Sequence, residues 1–227
     1  MESKTIKFLF GILILTLLTY TYSLHHQKNF RYSTVFYRLG MECEKGCSLK
    51  KRLYYFQKAV YHAPLSGEAY FQLANTYERM SDHVQAFQAY RKALELDHTN
   101  HDAALNLGVY YFHHGQKQMA WRYLNHAYQL RKDSYRLNYY LGRLSALEKD
   151  YEMAMRYFDQ ANLYYRKPFS QAFARMGAVY ELMGQKDNAR KWVGELKLFG
   201  EDDLASKLEE YIDAGNISEF FPAERVN

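Results

Sequence analysis

The chain has 227 residues, 48% of them hydrophobic and 24% charged, a balance that supports a substantial core and excludes a wholly disordered polymer. Three prolines and twelve glycines against 23 tyrosines and 14 phenylalanines favour helices over a turn-rich β-protein. The net charge of +5 comes from mixed Lys, Arg and acids without the dense basic stripe that nucleic acid requires, so no nucleic-acid partner is expected.

The first element in chain order is residues 8–24, FLFGILILTLLTYTYSL, which carries no charge and is flanked by Lys4 and Lys7 before it and His25, His26, Lys28 and Arg31 after it. Its length is at the lower limit for crossing a bilayer. Residues 1–24 therefore read as an uncleaved signal-anchor, with a cleaved secretory signal and a buried core helix as alternatives. Positive charge on both sides sets orientation weakly. The expectation is a single-pass membrane protein whose soluble part is periplasmic or extracytoplasmic, a cytoplasmic orientation remaining open. Residues 25–32 read as a juxtamembrane linker, or as the first turn of a long helix continuing from the membrane.

From there the chain repeats itself. Aligning SGEAYFQLANTYERMSDHVQAFQAYRKALELDHTN with HDAALNLGVYYFHHGQKQMAWRYLNHAYQLRKDS reveals a period of about 34 residues, which extends in both directions. Five units follow, 33–66, 67–100, 101–134, 135–169 and 170–203, the fourth with one extra residue near Lys167 and Pro168. Unit two shows Tyr70, Leu73, Ala74 and Tyr77, then Ala86, Tyr90 and Ala93. Unit three shows Ala104, Leu107, Gly108 and Tyr111, then Ala120, Leu124 and Ala127. Unit four keeps Leu141, Gly142, Ala154, Phe158 and Ala161 but has Ser145 at the tyrosine place; unit five keeps Phe173, Met176, Gly177, Tyr180 and Ala189 before relaxing to Val193 and Leu196. Unit one has Phe36, Leu39, Gly40, Phe56, Ala59 and Pro64, but Cys43 at the tyrosine place and Arg52 at the first alanine place.

This pattern resembles the tetratricopeptide repeat (TPR) family over about three quarters of the chain. The resemblance implies an all-α fold, a right-handed α-solenoid of about five helical hairpins. Small residues such as Gly108, Ala120 and Ala127 let paired helices approach, while Leu107 and Tyr111 fill the space between them. The end of such a stack needs a cap. The stretch DDLASKLEEYIDAGN supplies one over residues 203–214: Asp202 or Asp203 caps the start, Leu204, Leu208, Tyr211 and Ile212 form an apolar stripe, and Gly215 stops it. The tail 215–227, with Phe220 and Phe221, either packs back on the solenoid or binds elsewhere.

The stretch YYFHHGQ, residues 110–116, looks like an active-site lining, but the frame divides it. Tyr111 takes the repeat tyrosine place and Gly115 the turn, while Phe112 and His113 fall where the family presents its inner groove. His113 and His114 diverge by about 100° on a helix and lack a third ligand; His98 and His101 likewise lack one. No metal and no cofactor is expected. Cys43 and Cys47 either close a small disulfide in an oxidising compartment, or remain a core residue and a free thiol.

The groove positions implied by the resemblance are Tyr37 and Arg38 in unit one, Phe71 and Asn75 in two, and Leu105, Asn106, Val109, Phe112 and His113 in three. Arg136, Tyr139, Tyr140 and Arg143 follow in four, and Arg175 in five. Tyr and Arg are residues that most often carry interface energy. The expected function is a membrane-attached scaffold that binds a peptide or helical segment of a partner protein. By family resemblance it would serve an envelope machine: pilus or secretion, cytochrome c maturation, or a translocon-associated chaperone. No small-molecule substrate and no enzymatic activity is expected, since paired carboxylates, nucleophile elbow and phosphate loop are lacking. The alternative is a cytosol-facing co-chaperone-type receptor. Asn75, Asn106 and Arg136 match that subtype's carboxylate clamp, but Phe71 and Tyr140 stand where its lysine and arginine belong.

Overall fold

A computed structural model describes residues 2–43, 46–165 and 170–217, with side chains from residue 13 onward. The extra residue near Lys167 and the tail beyond residue 217 lie outside the described residues. Among the described residues there are eleven α-helices and no strand. The fold is all-α: five helical hairpins and a final single helix. It divides into two compact units, Met1–His98 and Thr99–Asn227.

The first unit holds α1 (Glu2–Glu42), α2 (Leu49–His62), α3 (Gly67–Arg79) and α4 (His83–Leu96). Helices α1 and α2 form one hairpin, α3 and α4 the next, and α2 stacks on α3. The second unit holds α5 (His101–His113), α6 (Lys117–Leu130), α7 (Tyr135–Leu147), α8 (Tyr151–Leu163), α9 (Ser170–Leu182), α10 (Lys186–Leu198) and α11 (Asp202–Ala214). There α5 pairs with α6, α7 with α8 and α9 with α10, while α11 lies against both α9 and α10.

Local chemistry sets where these helices begin. The side chains of Ser48, Ser66, Asp82, Asn100, Ser134 and Asp150 each accept from the backbone N–H three residues on, satisfying a donor that the first turn would otherwise leave orphaned. Helix α11 departs from the sequence expectation: its N-cap is Glu201, which makes no side-chain cap, and Asp202 and Asp203 lie inside the first turn. There they favour the helix through its dipole instead. Its C-cap is Gly215 at φ 69, as its sequence position suggested.

The turns of the four hairpins from α3–α4 to α9–α10 each use one left-handed residue. Gly115 and Gly184 provide it at φ 69 and 74, where a Cβ is disfavoured, but Ser81 and Lys149 occupy the corresponding places at φ 61 and 64. The turn is thus dictated by the packing of the helices it joins, since it persists without glycine.

That packing follows a small-against-large rule. A Cβ added at Gly40 would lie 2.7 Å from the Phe56 ring, at Gly108 2.6 Å from Leu124, and at Gly142 2.7 Å from Phe158. Phe56, Leu124 and Phe158 are fully buried, each seated where the facing helix has no side chain. In the last hairpin the large residue is Val193, and the space over Gly177 is filled instead by Leu208 of α11, 2.7 Å from the added Cβ. The final helix therefore completes the core where the repeat pattern weakens, burying Ala205, Leu208 and Ile212.

Residues 25–32, expected as a linker or the first turn of a long helix, are helical and continue without a break from the apolar run. Among the described residues no helix is long and apolar enough to cross a membrane, and the expected span is not carried by them. The side chains of residues 8–12, the first part of the run, lie outside those described. Cys43 and Cys47, on either side of the first turn, have Cα atoms 5.1 Å apart, within the span that a disulfide bridges.

Candidate peptide-binding face

In the second unit α5, α7 and α9 are the first helices of successive hairpins, and α7 touches both of the others. The repeat therefore brings residues 30 or so positions apart onto adjoining rungs. Arg143, only 3% exposed, places its guanidinium 4.5 Å from the Phe112 ring and 5.7 Å from those of Tyr139 and Tyr140. Such faces of negative potential hold a cation well once water is excluded. Phe112 and Tyr140 meet edge to face at 5.4 Å. Hydrogen bonds extend the ladder: His113 Nε2 lies 3.1 Å from the Tyr140 hydroxyl, and Arg175 Nε donates to the Tyr139 hydroxyl at 3.4 Å. Arg136 Nη1 donates to Asn106 Oδ1 at 2.8 Å.

This geometry corrects part of the groove assignment. Leu105, Val109, Phe112, Tyr139 and Arg143 are buried, so they form the floor that joins the helices and offer a ligand little surface. Asn106 is also buried, oriented to accept from Arg136. His113, Arg136, Tyr140 and Arg175 are half-buried and remain as the wall that a partner can touch. The neighbouring rung explains the difference, because inner-face residues at the centre of a stack are covered by the next hairpin. Tyr111 stacks on Tyr123 at 5.3 Å across the α5–α6 hairpin, and His114 is the C-cap of α5, its Nδ1 2.8 Å from the Tyr110 carbonyl.

The first unit presents its own candidates. The Tyr37 hydroxyl donates to Glu68 Oε1 at 3.0 Å, and Gln72 donates to the same oxygen at 3.0 Å. Burial, then the charge and hydrogen bond of Glu68, push the Tyr37 phenol up to about 12. Arg38 is exposed and pairs only loosely with Glu42 at 3.8 Å, a contact of little energetic weight. Phe71 packs on Tyr90 at 5.8 Å, and the Tyr90 hydroxyl is shared between Asn75 Oδ1, at 2.6 Å, and the Glu78 carboxylate. Asn75 also lines an open cavity of about 480 Å³ with Met41, Arg52, Gln72, Glu78 and Arg79. Sequence reasoning did not place Arg52 at a site. The signal was present: every other unit has a small residue at its position, so a buried arginine there marks a local change of purpose.

His101, considered for metal spacing, has a different role. Its Nδ1 lies 2.9 Å from Asp102 Oδ1, which also accepts from Arg131 Nη2 at 3.1 Å. Among the described residues no three His, Cys, Asp or Glu side chains converge as metal ligands. The hydrogen bond from His101, aided by Arg131 and opposed by burial, holds the Asp102 carboxyl below the usual range. A carboxylate depressed in the folded state stabilises it above the unfolded pKa of about 3.9, and the benefit is lost as pH falls through the folded value. The melting temperature of the parent protein should thus exceed that of Asp102→Asn near neutral pH, and the two should converge below about pH 4. A gap that persists unchanged in acid would show that Asp102 acts through something other than its charge.

The fold so described is that of a helical-hairpin repeat protein. Residues 67–100 match the model of the tetratricopeptide repeat, and residues 89–122 match a second model of the same description. Tetratricopeptide-repeat sequence is thus shown over residues 67–122. It is 28% identical over 141 residues to anaphase-promoting complex subunit cut9 of Schizosaccharomyces pombe, an alignment covering 60% of this chain and 21% of that protein. The chain thus spans about a fifth of that relative's length. Among solved structures, MamA protein is similar with a TM-score of 0.62 at 22% identity, over 82% of this chain and 96% of that one. YrrB, described as a TPR protein with an unusual peptide-binding site, is similar with a TM-score of 0.63 at 19% identity, over 80% and 90%. Likenesses at this identity show the fold alone.

Proposed function

We propose that the chain is a scaffold that binds a peptide or short helical segment of a partner protein on the α5–α7–α9 face, while the exposed apolar part of α1 attaches it to a membrane. The observation that carries the binding reading is the wall of His113, Arg136, Tyr140 and Arg175 standing on a buried aromatic–arginine floor. Rigid aromatic and guanidinium groups, held before a ligand arrives, lose little entropy on binding. Attachment at a membrane raises the effective concentration of a weak contact, which suits the assembly of an envelope machine. The attachment reading rests on the uncharged run 8–24 and on the exposure of Leu13, Leu15, Leu17 and Leu18. The 5.1 Å Cα separation of Cys43 and Cys47 suits a disulfide, which would go with an oxidising, extracytoplasmic setting. The carboxylate-clamp alternative is weaker, because Phe71 and Tyr140 offer rings where two cations would be needed and Arg136 already serves Asn106.

The test is in-membrane crosslinking of the full chain, followed by binding measurements with the captured partner. Arg136→Ala and His113→Ala alter half-buried wall residues and should each weaken binding about tenfold, the effect of losing roughly 1.4 kcal/mol, with the melting temperature little changed. Full retention of every partner by the folded double variant would overturn the assignment of this face.

A further inference from the structure

Helix α1 and its partner α2 are joined near one end of the hairpin by several contacts. Ser33 Oγ donates to the Ala59 carbonyl at 3.0 Å, Asn29 Oδ1 lies 3.2 Å from His62 Nδ1, and His62 stacks against Phe36 at 5.8 Å. The C-terminal end of α2 is therefore level with Asn29. Residues 13–28 of α1 are exposed throughout, so the helix stands clear of α2 as a stalk, about 40 Å long if counted from residue 2.

Around the base of that stalk the chain exposes large rings and cations together. Phe30, Tyr61 and Leu65 are 64%, 75% and 81% exposed, and Tyr32 is exposed beside them in sequence. Lys28 Nζ lies 5.8 Å from the centre of the Tyr32 ring, and Lys58 Nζ lies 5.7 Å from that of Tyr61. Lys28, Arg31 and Tyr32 also line a shallow recess of about 390 Å³. Acids are scarce here: from residue 3 to residue 67 the sequence has ten Lys and Arg but only two acids, Glu42 and Glu44. Glu42 ends α1, at the opposite end of the hairpin from Asn29. Glu68 is engaged by Tyr37, two turns along α1 from Phe30.

We propose that this collar, centred on Lys28, Arg31, Lys58, Phe30 and Tyr61, docks on the anionic headgroups of a lipid bilayer and sets the depth to which the stalk enters. The proposal rests on the membrane attachment inferred above and adds to it the lipid class and the contact surface. Charge complementarity selects the occupant. Tyrosine and phenylalanine rings settle between headgroup and acyl chain, while lysines extend their charge to phosphate. The same cations without an apolar stalk would suit many anions, but the stalk rises from the middle of them, so cations and apolar surface meet one ligand that has both. Each cation near an anionic leaflet strengthens binding roughly fivefold.

The experiment uses the full chain with vesicles of phosphatidylcholine alone and of phosphatidylcholine mixed with phosphatidylglycerol, read by co-sedimentation at low and high salt. The parent protein is expected to bind both, and to bind the anionic vesicles at least tenfold more tightly at low salt, on the order of the charge involved. In Lys28→Gln/Arg31→Gln/Lys58→Gln the advantage should vanish while binding to neutral vesicles and helical content persist. Equal binding of the parent protein to both vesicles, or an advantage that survives the triple substitution, overturns the collar and leaves attachment standing. Binding to neither vesicle overturns attachment itself and the collar with it.

Discussion

Arg143→Glu is expected to lower the stability of the second unit by about 3–5 kcal/mol, read as a fall in the urea midpoint. The side chain is buried among Phe112, Tyr139 and Tyr140, with its guanidinium 4.5 to 5.7 Å from their centres. A carboxylate in that place faces the negative faces of three rings and is deprived of water. Arg143→Met separates the two contributions: it preserves the aliphatic stem that packs between rings and removes the charge, so a loss of about 1–2 kcal/mol is expected. The family resemblance placed Arg143 among the groove positions, and reversing the charge of an accessible groove residue would release a ligand and spare the fold. Burial reverses that expectation, and loss of binding by Arg143→Glu therefore reports unfolding. An unchanged midpoint for Arg143→Glu would show that the cluster does not hold the charge.

Phe158→Ala should cost about 3–5 kcal/mol, the range for deleting a large buried ring. Its ring is fully buried and occupies the space that Gly142 leaves on the facing helix. Gly142→Ala alone should also destabilise. Its Cβ would fall 2.7, 2.8 and 3.1 Å from carbons of that fully buried ring, a strain of about 1–3 kcal/mol. Helix propensity opposes this by only about 1 kcal/mol. The sign should change in the Phe158→Ala background: with the ring gone, only the propensity gain remains, and Gly142→Ala becomes neutral or stabilising. A double-mutant cycle on the unfolding midpoints measures the coupling. Strict additivity would refute the close approach of α7 and α8.

The fold was readable because the repeat states the same packing solution several times. Gly40, Gly108 and Gly142 recur in register with Phe56, Leu124 and Phe158, and Ser, Asp or Asn stands before most helices. Each signal is local, and agreement among copies turns weak preferences into a strong one. The site was less readable. A repeat frame says which residues point inward, but the distance to the next rung decides which of them stay wet. Leu105, Val109, Phe112, Tyr139 and Arg143 became floor, while His113, Arg136, Tyr140 and Arg175 remained wall. The role of Leu208 over Gly177 was equally hidden, since it joins residues that follow no common period.

By itself, then, the sequence determined the all-α class, the hairpin as the repeating element, the terminal helix that closes the stack and the stop at Gly215. These depend on side-chain size, helix periodicity and backbone freedom, all of which are properties of short segments. Only the tertiary structure decided that α1 runs unbroken past residue 32, that Arg143 is caged, that Asp102 is shared by His101 and Arg131, and that rings and lysines gather where α1 leaves α2. Each of these is a meeting of residues distant in the chain, or of a helix with the place its neighbour ends, and burial and charge acquire their values only once the helices are packed.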